Sequence, residues 1–124
     1  MQQLPTESEL EILQILWQKG PQTVRFINDE LNKKRDVGYT TTLKIMQIML
    51  DKGSLTREVH DRAHIYSAAI NEESTQNELL KDFVEVTFRG NATSLVMRAL
   101  GEGNTSPSEL AEIKALIEQM ENNK

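Results

Sequence analysis

The chain has 124 residues, enough for one domain or for one small domain with an appended helical segment. It contains no cysteine, which excludes disulfides and thiolate metal sites. It also has no apolar run of about 18 residues, and its first residues lack the basic-then-apolar pattern of a signal peptide. We therefore expect a cytoplasmic protein that has no membrane segment.

The formal net charge of −5 does not by itself exclude a nucleic-acid binder, because the charge is unevenly distributed along the chain. Residues 1–70 contain nine basic and nine acidic side chains, whereas residues 71–124 contain five basic and ten acidic ones. All the excess negative charge thus belongs to the second half. A neutral first half can still present a basic face, with modest non-specific affinity for DNA.

The first half opens with two helix signals. Thr6 and Glu9 form a capping-box pattern, and the helix that follows ends at Gly20-Pro21, with Trp17 expected in the core. Thr23 is expected to cap a second helix from Val24 to about Lys34. Its end carries Lys33-Lys34-Arg35, which either complements the helix dipole or contacts phosphate.

The stretch from Val37 to Ala68 predicts a helix followed by a β-hairpin. The helix has a buried stripe of Thr42, Ile45, Met46 and Met49. Its opposite stripe is polar and consists of Thr40, Lys44, Gln47 and Asp51, flanked by Thr41. Gly53 ends the helix. Strands are predicted over Leu55–His60 and Ile65–Ala68, joined by a charged four-residue tip, 61–64.

Two helices joined by a short turn and followed by a hairpin are typical of a winged helix-turn-helix domain. The second helix can enter a major groove, and the wing can reach an adjacent backbone or minor groove. The candidate DNA-binding residues are Tyr39, Thr40, Thr41, Lys44, Gln47, Arg57, Arg62 and His64. The alternative for Arg57 and Arg62 is a solvated hairpin charge. His60 and His64 lack the further ligands of a metal site, so neither metal nor cofactor is expected.

The second half predicts three more helices. Asn71, Asn91 and Ser106 provide their N-caps, the last with Pro107 and Glu109 in the first turn. Three helices in 54 residues cover their own apolar faces poorly. We therefore expect a winged-helix domain at 1–70 and a dimerisation domain at 71–124, the alternative being that these helices fold back on the winged helix. The candidate dimerisation residues are Leu80, Phe83, Leu95, Val96, Leu110, Ile113, Ile117 and Met120.

Five segments in order and at matching spacing resemble the BlaI/MecI family of penicillinase repressors. They read LPTESELEILQILWQKGPQTVRFI, YTTTLKIMQIMLDKGSLTRE, HIYSAAI, TSLVMRAL and SPSELAEIKALIEQM. The resemblance implies an N-terminal winged helix, a C-terminal three-helix dimerisation region and repression through an inverted-repeat operator. It covers essentially the whole chain.

Three departures from that family pattern bear on regulation and specificity. Family members regulated by a protease are cut at an Asn-Phe bond, whereas Ser94-Leu95-Val96-Met97 is followed here by Arg98-Ala99. The cysteine-rich tail of copper-responsive relatives has no counterpart. The recognition helix carries Lys44 and Ile48 where relatives often carry Thr and Arg, so a known operator sequence does not transfer.

The predicted function is a sequence-specific DNA-binding regulator, a repressor acting as a homodimer on a double-stranded DNA operator. The alternative is a winged-helix module that binds protein rather than DNA, which the overall acidity favours slightly. An enzyme is not expected, because no cleft-forming set of catalytic groups or glycine-rich phosphate loop is evident. The inducing signal, including any sensor or protease, is left open.

Overall fold

The computed structural model describes residues 4–123 and is mainly helical, as predicted. In chain order the elements are α1 (Glu7–Lys19), α2 (Val24–Leu31), α3 (Tyr39–Lys52), β1 (Leu55–His60), β2 (Ala63–Ala68), α4 (Glu72–Phe88), α5 (Ala92–Gly101) and α6 (Pro107–Asn122). The fold class is confirmed: a winged helix-turn-helix is followed by three helices. No helix in the described range is long and apolar enough to cross a membrane.

The chain divides into two compact units that meet within α4, between Leu79 and Leu80. The boundary predicted at residue 70 lies where the winged helix ends, two residues before α4 begins. The assignment of residues 1–70 to DNA binding and of 71–124 to dimerisation stays a prediction.

The core of the first unit is formed by side chains from all three of its helices and from both strands of the hairpin. The fully buried members are Ile12, Leu13, Ile27, Thr42, Met46, Met49, Leu55 and Tyr66. Of the stripe predicted to be buried on α3, Thr42, Met46 and Met49 are indeed buried and Ile45 is half-buried. Trp17 packs against this core, and its ring N–H donates to the Ile70 carbonyl at 3.1 Å. The expected core role of Trp17 is therefore confirmed.

The predicted helix caps form as expected. The Thr6 hydroxyl accepts from the Glu9 amide, and the Glu9 carboxylate accepts from the Thr6 amide at 3.0 Å. Ser106 and Glu109 repeat this reciprocal arrangement at α6. Hydrogen bonds from Ser106 hold the pKa of Glu109 below its usual value. Helix N-caps can be predicted from the sequence because each cap involves residues that are only three positions apart.

Two predicted boundaries are wrong. Helix α2 ends at Leu31 instead of Lys34, because the Asn32 side chain bonds both the carbonyl and the amide of Val37 and turns the chain. Strand β2 begins at Ala63 instead of Ile65, since His60 pairs with Ala63. The predicted four-residue tip is therefore a two-residue turn of Asp61 and Arg62, both with positive φ, as tight hairpins require.

In the second unit most large apolar side chains of the three helices are open to solvent. Val84 is buried at 8% exposure, whereas the neighbouring Phe83 is 49% exposed. Phe83 meets Phe88 edge to face, with ring centroids 5.8 Å apart. The dimerisation residues predicted on α6 are largely exposed, with Ile117 at 50% and Met120 at 62%. Such a concentration of exposed apolar side chains is typical of an interaction surface.

Thr42→Val should lower the free energy of unfolding by about 1–3 kcal/mol, because the buried Asn28 amide loses the acceptor 2.8 Å from it. Thr42→Ser keeps the hydroxyl and should recover most of this loss. Urea unfolding of the full chain at one fixed protein concentration measures both variants. Equal stability of the Val and Ser variants would show that the hydrogen bond contributes little.

Candidate nucleic-acid interface

Two asparagines, Asn28 of α2 and Asn32 at its C-cap, hold the turn that leads into α3. The Asn28 side-chain amide donates to the Val37 carbonyl at 3.0 Å and to the Thr42 hydroxyl at 2.8 Å. Asn32 donates to the same carbonyl at 2.8 Å, and its side-chain oxygen accepts from the Val37 amide. These bonds set both the path of the turn and the rotation of α3 about its axis.

The far end of α3 is tied to α1 by an ion pair. Lys52 Nζ lies 2.9 and 3.0 Å from the two carboxylate oxygens of Glu9. One of these oxygens also accepts from the Thr6 amide. Glu9 is only 5% exposed, so the pair is largely shielded from salt. Helix α3 is thus fixed at both ends by polar contacts as well as by its buried stripe.

With α3 held in this way, its predicted polar stripe faces solvent. Thr40, Thr41, Lys44 and Gln47 are all exposed. Within residues 4–123 their side chains make no hydrogen bond or ion pair, which leaves their donors and acceptors available. Ile48, beside the stripe, is 44% exposed and adds an apolar contact surface.

The wing is anchored at its base and free at its tip. Tyr66 is buried and bridges Gln22 through two backbone hydrogen bonds of 2.8 and 3.0 Å. Arg57 pairs with Tyr66 across the hairpin, so these two side chains and His64 share one face of it. On the opposite face His60 contacts Glu58 at 3.0 Å. Arg62 stands at the exposed tip with φ of 71°.

The structure brings the eight candidate DNA-binding residues to exposed positions on only two elements, α3 and the hairpin. One of them, Tyr39, is engaged within the protein: the guanidinium of Arg25 lies 5.3 Å from its ring centroid. Sequence reasoning missed Arg25, because the contact joins the first turns of two helices that are separated in the chain. It also missed Asn28 and Asn32, although two asparagines one turn apart on α2 were a usable signal.

The cationic cluster 33–35 is largely paired inside the first unit. Lys33 contacts Glu30 at 2.6 Å, and Arg35 contacts Glu11 at the same distance. The hydrogen bond that Lys33 donates holds the pKa of Glu30 below its usual value, and the hydrogen bond that Arg35 donates to Glu11 raises the pKa of Arg35. Helix α2 ends at Leu31, before the cluster begins, and the ion pairs of Lys33 and Arg35 do not decide between the helix-dipole and the phosphate interpretations.

Comparison with known proteins places this geometry in a family. The family described as penicillinase repressor matches residues 5–119. The transcriptional regulator BlaI of Mycobacterium tuberculosis is 31% identical, over 83% of this chain and 91% of that protein. The penicillinase repressor of Bacillus licheniformis is 22% identical over all of this chain and 98% of its own length. The methicillin resistance regulatory protein MecI of Mammaliicoccus sciuri is 21% identical, over 90% and 91% of the two chains.

Solved structures share the fold. The DNA-binding domain of the repressor BlaI superposes with a TM-score of 0.51 over 58% of this chain and 90% of that domain, at 23% identity. A transcriptional regulator from Thermotoga maritima matches 96% of this chain and 80% of its own, with a TM-score of 0.52 and 20% identity. Because the family match spans both units, the chain belongs to the penicillinase repressor family, a family of DNA-binding transcriptional repressors, and is not an enzyme.

Proposed function

We propose that this chain represses transcription as a homodimer that binds an inverted-repeat operator, one winged helix to each half-site. The observation that carries the proposal is the exposed polar stripe of α3 beside a hairpin that bears Arg57 and Arg62, none of these side chains having a hydrogen-bond or ion-pair partner among residues 4–123. A relative offers support, since the monomeric form of Bacillus licheniformis BlaI, solved in complex with the blaP half-operator, has the same fold with a TM-score of 0.51.

Lys44 and Gln47, in the middle of the α3 stripe, recognise the bases. Lys44 can donate to guanine O6 or N7, and Gln47 can pair through both of its amide atoms with adenine. Thr40 and Thr41 lie in the first turn of α3, where backbone amides and hydroxyls favour a phosphate or a base edge. The exposed Ile48 suits a thymine methyl group.

The wing contributes contacts that depend little on sequence. Arg62 at the tip and Arg57 on the strand can reach the sugar-phosphate backbone or the minor groove next to the major groove that α3 enters. His64 shares the face of Arg57 and adds a third polar group there. Because residues 1–70 carry no net charge, these few cations supply modest affinity for one half-site, which makes two linked half-sites necessary.

The second unit supplies the surface for dimerisation. Six of the eight predicted dimerisation residues are exposed: Leu80, Phe83, Val96, Leu110, Ile117 and Met120. The other two, Leu95 and Ile113, are half-buried. Part of this set lines a cavity of about 470 Å³ between α5 and α6, whose apolar wall is formed by Leu100, Leu110, Ile113 and Ile117. A second copy of the same helices would cover this surface. Bound over a promoter in the cytoplasm, the dimer would exclude polymerase.

Selection of bound duplexes from a random DNA pool, with purified full-length protein at moderate salt, tests the proposal. We expect a two-fold symmetric sequence with half-sites about one helical turn apart. Recovery of nothing above background would instead favour the protein-binding winged-helix module.

Lys44→Ala should weaken binding to the selected duplex and relax specificity at one base position of each half-site by about 1–3 kcal/mol. Lys19→Ala, which removes an equal charge from the end of α1, is the matched control and should preserve base preference. Competition among duplexes with single-base changes measures both. An unchanged preference in the Lys44 variant would rule out base reading by this residue.

Arg62→Gly should weaken binding to all duplexes alike. It should also reduce the slope of log binding constant against log salt concentration by about 2, because the dimer loses two phosphate contacts and each contributes about 0.9. Glycine adopts the left-handed backbone of this position without strain, so the variant should be at least as stable as the natural chain. Binding as a function of salt and thermal unfolding measure the two effects. An unaltered slope would count against a phosphate contact at the wing tip.

Ile117→Glu should weaken dimerisation by about 30-fold or more, because burying an apolar side chain of this size contributes about 2 kcal/mol and a carboxylate opposes burial. Gln119→Glu adds the same charge two residues away and should leave the dimer intact. Sedimentation equilibrium over a range of concentrations measures both. A monomeric natural chain, or a dimer insensitive to Ile117→Glu, would remove α6 from the interface.

A further inference from the structure

A cleft lies between the start of α2, the start of α3 and the wing. Its volume is about 310 Å³. Its polar lining includes Thr23, Arg25, Tyr39, Arg62 and His64. No carboxylate lines the cleft in the part of the chain that the structure describes. Two arginines and a histidine without a neutralising acid make this cleft suited to an anion.

Arg25 is the unexplained residue of this cleft. It is the second residue of α2, where the helix dipole disfavours a positive charge, and the first turn of α2 contains no acidic residue. Its side chain is exposed and, within residues 4–123, forms no ion pair. The stability of α2 therefore gives no reason for an arginine here.

Tyr39 holds that arginine at the mouth of the cleft. The Arg25 guanidinium lies 5.3 Å from the centroid of the Tyr39 ring, and Tyr39 is the first residue of α3. A guanidinium held over an aromatic face by a cation–π contact still has N–H donors with which to bind a planar or tetrahedral anion. The guanidinium is thus positioned before any ligand arrives, which reduces the entropy lost on binding.

We propose that Arg25, positioned by Tyr39, contacts one phosphate of the DNA strand that runs between α3 and the wing. The inference rests on the proposed function, because it takes α3 to lie in one groove and the wing tip to reach beyond it. The strand between them then passes the cleft, which Arg62 of the wing also lines. Tyr39 becomes a positioning residue, and Arg25 becomes a DNA contact that the sequence pattern did not indicate.

The test measures binding of full-length protein to the selected duplex and to duplexes in which one phosphate per half-site is replaced by a neutral methylphosphonate. For the natural chain several positions should weaken binding, and one of them, the phosphate that faces the cleft, should weaken it about tenfold. Arg25→Ala should weaken binding to the unmodified duplex by a similar factor and lose sensitivity at that position alone. Arg98→Ala, which removes the same charge from α5, is the control and should bind like the natural chain.

Tyr39 is tested in the same assay. Tyr39→Phe keeps the ring and should bind like the natural chain, whereas Tyr39→Leu should resemble Arg25→Ala without adding to it in the double variant. Equal losses for Phe and Leu would overturn the positioning role and indicate a direct contact by the hydroxyl. Thermal unfolding should show Arg25→Ala to be as stable as the natural chain.

The outcomes separate this inference from the proposed function. If the natural chain binds no duplex in a salt-dependent way, the proposed function itself fails. If the natural chain binds but Arg25→Ala keeps full affinity, or loses affinity while remaining sensitive to every methylphosphonate, the phosphate contact of Arg25 is refuted and the repressor function stands.

Discussion

The position of the polar stripe of α3 depends on the two hydrogen bonds that the Asn28 side-chain amide donates. Asn28 is buried, and the two bonds reach the turn at Val37 and the α3 hydroxyl of Thr42. Since neighbouring residues of a helix differ by about 100° in direction, a rotation of α3 by one residue would turn Lys44 away from solvent. Apolar packing alone tolerates such slips better than a pair of directional hydrogen bonds between buried polar groups does.

What the sequence predicted well was local. Helix caps, the buried stripe of α3 and the helix end at Gly53 all depend on residues within a few positions of one another, and all are observed. What it missed joins separate elements: Asn28 with Thr42, Lys52 with Glu9, and Arg25 with Tyr39. The wing tip was missed for another reason, because an Asp-Arg pair is not the usual sequence of a two-residue turn.

An acidic chain can present a basic interface because of where its carboxylates lie. In the first unit Glu9, Glu11 and Glu30 are each paired with a cation away from the polar stripe of α3. By contrast, no ion pair in the described range engages Lys44 or the arginines of the wing. These ion pairs neutralise three carboxylates of the first unit, while Lys44, Arg57 and Arg62 keep their charge available for an external anion. The net charge of −5 therefore says little about the field near α3.

Arg25 and Arg62 each occupy a position that their own element would fill better with another residue, and both line the same cleft. Arg62 occupies a left-handed backbone position that glycine or asparagine would fill with less strain, and Arg25 places a cation at a helix N-terminus. Departures from local preference in natural proteins concentrate at functional sites, where a ligand makes up for the lost stability. One such residue could be incidental. Two arginines that line one cleft from separate elements, each at a position where its own element would favour another residue, point to a common anionic ligand.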